Sequence, residues 1–441
     1  MLGDSAESLA TSPMLRQQQW YKLMYPGHNL GSSELMTFDD FFAVSKCLLP
    51  DTRLKFSKDA ELAKHQHMLL ADYVDVSKQS QESKDSKSPS SPESEHDYVS
   101  QLDIHTSTLI GSRLEQQDMS VDIFCNGWHV FGVCDGHGNK DVPRNLVKRW
   151  FPSLVDLFAV REWPIDCAHV RQAFLDIDTF LLKDKPRGGS TACIGIAIQD
   201  QLFVANTGDS RMVMINHDNK VVFQTQDHRP CVPAERKRIE AGGGSVDCSY
   251  AFPDKTNRSR KLGTSRAFGD AAYKLTYAED GRLLPPITAA PDVDMFSLDK
   301  LRQKRVRFLL FATDGVWDTL HGIANRNDAV QRLLSTTSKP AITSENKSSF
   351  PLFKSILDLD DKTAMLPEPD DPDPVTRHYK KTTQLNEQVK ALLSKKLTEW
   401  QSGNKPVSSL ASKLVAFCET HDGDDNKTVV LVDLGKPKQT N

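Results

Sequence analysis

The chain of 441 residues is short of several things, and each shortage excludes a class of function. Its eight cysteines, Cys47, Cys125, Cys134, Cys167, Cys193, Cys231, Cys248 and Cys418, contain no Cys-x-x-Cys pair. That argues against a zinc knuckle or a disulfide scaffold and for reduced thiols, several of them within apolar strands. No apolar run approaches the length of a membrane span. The first residues, "MLGDSAESLATSPMLRQQQW", carry early acids and no apolar core, unlike a secretory signal. Charge is nearly balanced at -4, and basic runs such as "ERKRIE" and "RQKRVRF" are too short for a nucleic-acid stripe, reading instead as solvated faces. The expectation is a monomer in the cytoplasm or nucleus, with neither nucleic acid nor membrane as partner.

What is present is strongly patterned. Residues 1–76 hold two helical stretches, "TFDDFFAVSKCLLP" and "SKDAELAKHQHMLLADYV", and are read as a helical extension. Residues 77–97 are Ser, Lys and Glu with almost nothing to bury, the signature of a disordered linker. From residue 98 to 436 the text turns to strands. "MSVDIFC" and "WHVFGVC" flank Asn126-Gly127, a two-residue hairpin signal. "ACIGIAI", "QLFVANT", "RMVMIN", "VRFLLFA" and "KTVVLVD" follow, with helical patterns between them and a core-poor insertion at 335–375. Alternation within the strands favours antiparallel sheets with one face toward a core. Helices on the outer faces would complete a layered α+β domain.

The acids are placed unusually. Asp135 and Asp314 each end an apolar strand and precede a glycine, Gly136 and Gly315. Asp209 lies just past "LFVANTG", Asp425 just before the last strand, and Gln117 and Asp118 just before "MSVDIF". Taken singly, each is a turn residue. Together they are what a shared cation site needs: oxygen donors on rigid strand tips, a set that selects Mg²⁺ or Mn²⁺ over zinc. "DGDDNK" is not a calcium loop, because Lys427 stands where that loop needs glycine.

Nine segments in order, "SRLEQQD", "VCDGHGN", "GGSTA", "VANTGDSR", "QDHRP", "ERKRIEAGGGSV", "GTSRAFGD", "FATDGVWD" and "DDNKTVV", give the chain a specific likeness. It resembles the type 2C family of metal-dependent serine/threonine protein phosphatases. The resemblance implies a four-layer α-β-β-α sandwich with the metal site at one end of its two sheets. It further implies two Mg²⁺ or Mn²⁺ ions per subunit, with a weaker third. Asp135 would bridge the pair, with the Gly136 carbonyl as a further ligand. Asp314 and Asp425 would complete the first ion's shell, and Asp118 would support the cluster. Asp209 and Asp318 match acids linked to the third ion. Arg113 would hold the substrate phosphate and His137 would be the general acid. Gln117 stands where many members carry glutamate, which implies weaker occupancy of the second ion.

The expected substrates are phosphoproteins, hydrolysed at phosphoserine or phosphothreonine. Such monoesters need charge neutralisation, an activated water and a proton for the leaving alkoxide. The alternative reading is a phosphatase-fold module with weak or no catalysis that uses its surface for binding.

Overall fold

The computed structural model describes residues 102–125, 127–154, 165–253, 258, 260–274, 285–336, 371–402 and 406–435. The extension 1–76, the linker 77–97 and most of the 335–375 insertion lie outside them.

Ten strands make two sheets, all of whose pairings are antiparallel. The first has the order β1-β15-β14-β8-β9, with β1 Asp103–Leu109, β8 Arg211–Asn216, β9 Val221–Gln224, β14 Val306–Ala312 and β15 Lys427–Asp433. The second runs β13-β7-β6-β3-β2, with β2 Met119–Cys125, β3 Trp128–Cys134, β6 Ala192–Ile198, β7 Gln201–Thr207 and β13 Asp292–Ser297. Three two-residue strands, β4 Gly136–His137, β5 Gly189–Ser190 and β12 Phe268–Gly269, form a small sheet beside the end of β3. A further two-residue pair joins β10 Ser245–Val246 to β11 Ala251–Phe252.

Three apolar clusters define four layers. Phe131, Val133, Val204, Met212, Leu309, Phe311 and Val430 lie between the sheets, where the Phe131 and Phe311 rings meet edge to face at 5.6 Å. The outer face of the first sheet packs on α6 Asp314–Thr336, α7 Pro374–Gln401 and α8 Ser408–His421. The outer face of the second packs on α1 Asp141–Asn145, the π-turn 146–150 that continues it, and α2 Cys167–Lys183. Burial on this scale stabilises by about 1.5–3 kcal/mol for each fully enclosed large apolar side chain. Three shorter helices complete the set: α3 Pro233–Ala241, α4 Ala271–Lys274 and α5 Leu298–Gln303.

Local chemistry sets the helix ends. Asp166 caps α2, its carboxylate accepting from the His169 amide at 3.0 Å. Pro233 and Pro374 occupy first-turn positions of α3 and α7, where no amide is needed. Asp373 caps α7 and also pairs with Arg236, which ties that helix to α3.

Two expectations change. Central strands do not alternate: all seven residues of β3 are buried, because helices cover the face that would otherwise meet water. Nor is "ERKRIE" solvated throughout. Glu235 is buried under Arg238 and Arg266, at 2.7 and 2.6 Å. In "RQKRVRF", Arg302 is buried too, its Nε donating to the Leu434 carbonyl.

Candidate active site

Antiparallel register gathers the acids. Met119 opposes Cys134, Ala192 opposes Thr207, Arg211 opposes Ala312, and Ala312 opposes Val429. The start of β2, the end of β3, the β7–β8 turn, the end of β14 and the start of β15 therefore share one end of the sandwich. Asp118, Asp135, Asp209, Asp314 with Asp318, and Asp425 sit on those five connections. At Gly315 the close approach is visible: a Cβ there would stand 2.0 Å from the Asn426 carbonyl oxygen, so only glycine lets α6 begin against the 425–426 turn.

A second tier of side chains fixes this cluster. Thr313 donates its hydroxyl to Asp118 Oδ2 at 2.8 Å and accepts from the Thr428 amide. Asn426 accepts from the Gln117 amide at 2.8 Å and donates to the Ile110 carbonyl at 2.7 Å. Lys427, wholly buried, donates to the Asp425 carbonyl at 2.9 Å and pairs with Glu419. Thr191 accepts from the Asp135 amide and its own amide donates back to the Asp135 carbonyl.

Electrostatics mark the cluster as short of positive charge. Burial, reinforced by Asp314 and Asp425, pushes the Asp118 carboxyl up to about 7 against the hydrogen bonds from Thr313 and Thr428. Burial and the neighbouring Asp118, Asp209 and Asp425 push Asp135 well above the carboxylate range. Asp314 is raised in the same way by burial, Asp135, Asp209 and Asp318. Asp135 and Asp314 are neighbours in the cluster, and both are held toward the protonated form. A cation between such crowded carboxylates would let them stand together in their charged form.

The donor set around Asp118, Asp135, Asp314 and Asp425 is all oxygen, so it fits a hard divalent cation. The Asp118 and Asp425 side chains are turned to protein partners, and among the described residues no three His, Cys, Asp or Glu form a ready-made metal cage. Asp425, for instance, accepts from Arg113 Nη2 at 2.9 Å and from the Asn426 amide. Asp209 and Asp318 stand differently. The Arg229 guanidinium lies between them, its Nη2 2.6 Å from Asp318 and 3.8 Å from Asp209.

Arg113 is half-exposed at the rim, its Nε donating to the Asp424 carbonyl at 3.1 Å. Gln117 is partly buried, and its neighbour Glu115 is held by Lys140 at 2.6 Å. His137, on β4, is paired through Nε2 with Asp270 Oδ2 at 2.7 Å. Burial would lower its pKa, but Asp270 raises it, as Asp209 and Asp314 do, and the net shift is upward. Asp270, Arg229, Thr313 and Asn426 were not singled out from the sequence. Each lies inside a quoted segment, yet Asp270 is a Gly-Asp rather than an Asp-Gly, and nothing local distinguishes it from a turn.

The sequence model of the protein phosphatase 2C family matches residues 111–347, more than half of the 441, and the chain belongs to that family. It is 35% identical over 222 residues to "Probable protein phosphatase 1N" of Homo sapiens, covering 47% of this chain and 46% of that one. With "Protein phosphatase 2C 1" of Paramecium tetraurelia it shares 30% over 261 residues, 54% of this chain and 77% of the relative. The chain thus spans about half the length of the human and mouse relatives it matches, 46% and 47%. Among solved structures, "Structure of a C.elegans sex determining protein" aligns with 97% of this chain and 88% of its own at 15% identity and a TM-score of 0.48. "Crystal structure of Serine/threonine phosphatase Stp1 from Staphylococcus aureus" aligns with 75% and 94% at 14% identity and a TM-score of 0.40.

Proposed function

We propose that the chain is a metal-dependent protein serine/threonine phosphatase whose catalytic domain is residues 98–436. The observation that carries this reading is the convergence of buried and part-buried carboxyls from separate strand ends into a cluster that needs positive charge. Asp135, with the Gly136 carbonyl, Asp314, Asp425 and Asp118 would hold Mg²⁺ or Mn²⁺. When bound, such ions supply neutralisation of phosphoryl oxygens and a water whose pKa falls to roughly 7.

The remaining chemistry belongs to the chain. Arg113 would orient the phosphate through its planar fork, swinging from Asp425 to the substrate. His137 would give its proton to the serine or threonine oxygen as it leaves, a role typically worth ~10²–10⁴ in rate. Asp270 would keep that imidazole charged and aimed. Gln117 offers a neutral oxygen where a carboxylate would bind a cation more tightly, so the second ion is held more weakly. Phosphoproteins would be the substrates and a monomer in the cytoplasm or nucleus the working form. Among the described residues no helix is long and apolar enough to cross a membrane.

The test is release of phosphate from a phosphothreonine peptide panel with Mn²⁺. Activity abolished by chelator and by Asp314→Asn supports the reading. A chain that binds Mn²⁺ and the peptides without hydrolysing them would instead be a phosphatase-fold binding module.

A further inference from the structure

The third-ion acids raise a separate question. Asp209 and Asp318 match residues linked to a third, weaker cation, but a cation is already beside them. Arg229 Nη2 donates to Asp318 Oδ1 at 2.6 Å and stands 3.8 Å from Asp209 Oδ2, while its Nε lies 3.7 Å from Asp227 Oδ2. Three carboxylates thus face one guanidinium.

This arginine is held in place from both ends. At its root, the amide of the preceding residue, His228, donates to the Gly208 carbonyl at 2.9 Å. The Gly208 amide donates back to His228 Nδ1 at 3.1 Å. The backbone before Arg229 is therefore fixed beside Asp209. At its head, Asp227 is itself clamped by both arms of Arg211, at 2.8 and 2.7 Å. Arg211 in turn lies over the Trp317 ring at 5.0 Å, next to Asp318 on α6. A planar fork held this way loses little freedom on pairing. A metal ion drawing on Asp209 and Asp318 would need oxygens at roughly 2.0–2.2 Å, inside the space the guanidinium nitrogen fills.

We infer that Arg229 is a built-in cation standing in for the third metal, so that this chain takes up two ions and not three. The inference rests on the metal-dependent reading above. Arg229 places one permanent positive charge between Asp209 and Asp318, where an exchangeable ion would supply charge only at high metal concentration. Displacing it forfeits a charge-assisted hydrogen bond, which weakens any third ion about 10- to 100-fold.

The experiment is Mn²⁺ binding by the full chain, followed by calorimetry and by elemental analysis after equilibrium dialysis. Two ions are expected for the unmodified chain, and two again for Asp318→Asn, since Asp318 serves the arginine and no metal. Arg229→Gln should gain a third site, at manganese concentrations about 10- to 100-fold below any at which the unmodified chain shows one. Three ions in the unmodified chain, falling to two in Asp318→Asn, would overturn the inference while leaving the phosphatase reading intact. No ion bound at all would remove that reading itself. Should Arg229→Gln fail to fold, the comparison of the unmodified chain with Asp318→Asn still decides.

Discussion

Asp270→Asn separates proton donation from the rest of the proposed chemistry. Asp270 Oδ2 lies 2.7 Å from His137 Nε2, with its side chain 4% exposed against 28% for the histidine. The acid is thus enclosed and the imidazole open to a substrate. An imidazole held through Nε2 has Nδ1 left for proton transfer. Asparagine keeps the volume, and it tolerates the backbone here, where φ is 52°. It removes the charge that favours the imidazolium. A hydrogen bond to a charged group is worth about 1.5–3 kcal/mol, so kcat should fall about 10- to 150-fold on a phosphothreonine peptide. An aryl phosphate, whose leaving group departs without a proton, should be slowed far less, and Mn²⁺ affinity should not move. Gly189→Ala provides a second route to the same pair: its Cβ would stand 2.2 Å from Asp270 Oδ2 and 2.6 Å from His137 Nε2, so the two could not stay together. Equal slowing on both substrates, in either variant, would refute the donor role and leave Asp270 a structural acid.

Other predictions are more direct. Asp314→Asn should bring Mn²⁺-stimulated activity to background and weaken Mn²⁺ binding by more than the roughly 10- to 100-fold seen for outer-shell changes; titration calorimetry reads this. Burial would raise the Glu235 pKa, but Arg266, Arg238 and their hydrogen bonds bring it down to about 2. Because that folded value is depressed, its stabilisation is present above the unfolded pKa and lost as pH falls through about 2. The difference from a free glutamate gives about 3 kcal/mol at neutral pH, so Glu235→Gln should lower stability by that order, with the gap closing between roughly pH 4.5 and 2 in denaturant titrations. Phe311→Ala, between the sheets, should cost about 3–5 kcal/mol by the same assay without touching the acid cluster.

The large strands and the acids at their tips could be read from the sequence because both are local signals. "WHVFGVC" and "VRFLLFA" are apolar runs bounded by Asp-Gly, and their backbone pairing fixes where those acids end up. What could not be read are elements whose partners come from far away. β1 carries "DIHTSTL", with no apolar run; it is a strand because β15, more than 300 residues on, supplies its hydrogen bonds from Asp103↔Asp433 to Leu109↔Lys427. Edge strand β13 escaped for the same reason, its partner β7 lying about 90 residues before it. Asp270 and Arg229 are similar cases within the site. Their roles depend on contacts 133 and 89 residues away along the chain, to His137 and Asp318, and no spacing announces them.

The cluster also explains why its supports are so closely built. Carboxyls crowded away from water oppose folding, since Asp118, Asp135, Asp209 and Asp314 are pushed toward their protonated forms by burial and by their neighbours. Something must hold them there before any cation arrives. Thr313, Thr428, Asn426 and Lys427 do so with bonds that bind backbone turns as well as acid side chains. Arg229 goes further and supplies the charge itself, at the edge of the cluster nearest Asp318. The two halves of the site are thus balanced differently. Asp135 and Asp314 are pushed toward protonation, which a divalent ion can relieve, whereas Asp318 is paired with a guanidinium that does not titrate near neutrality and that offsets part of the burial raising Asp209. Metal exchange should therefore be confined to the first half, and chelator should raise the proton affinity there while leaving the Arg229 pairing unchanged.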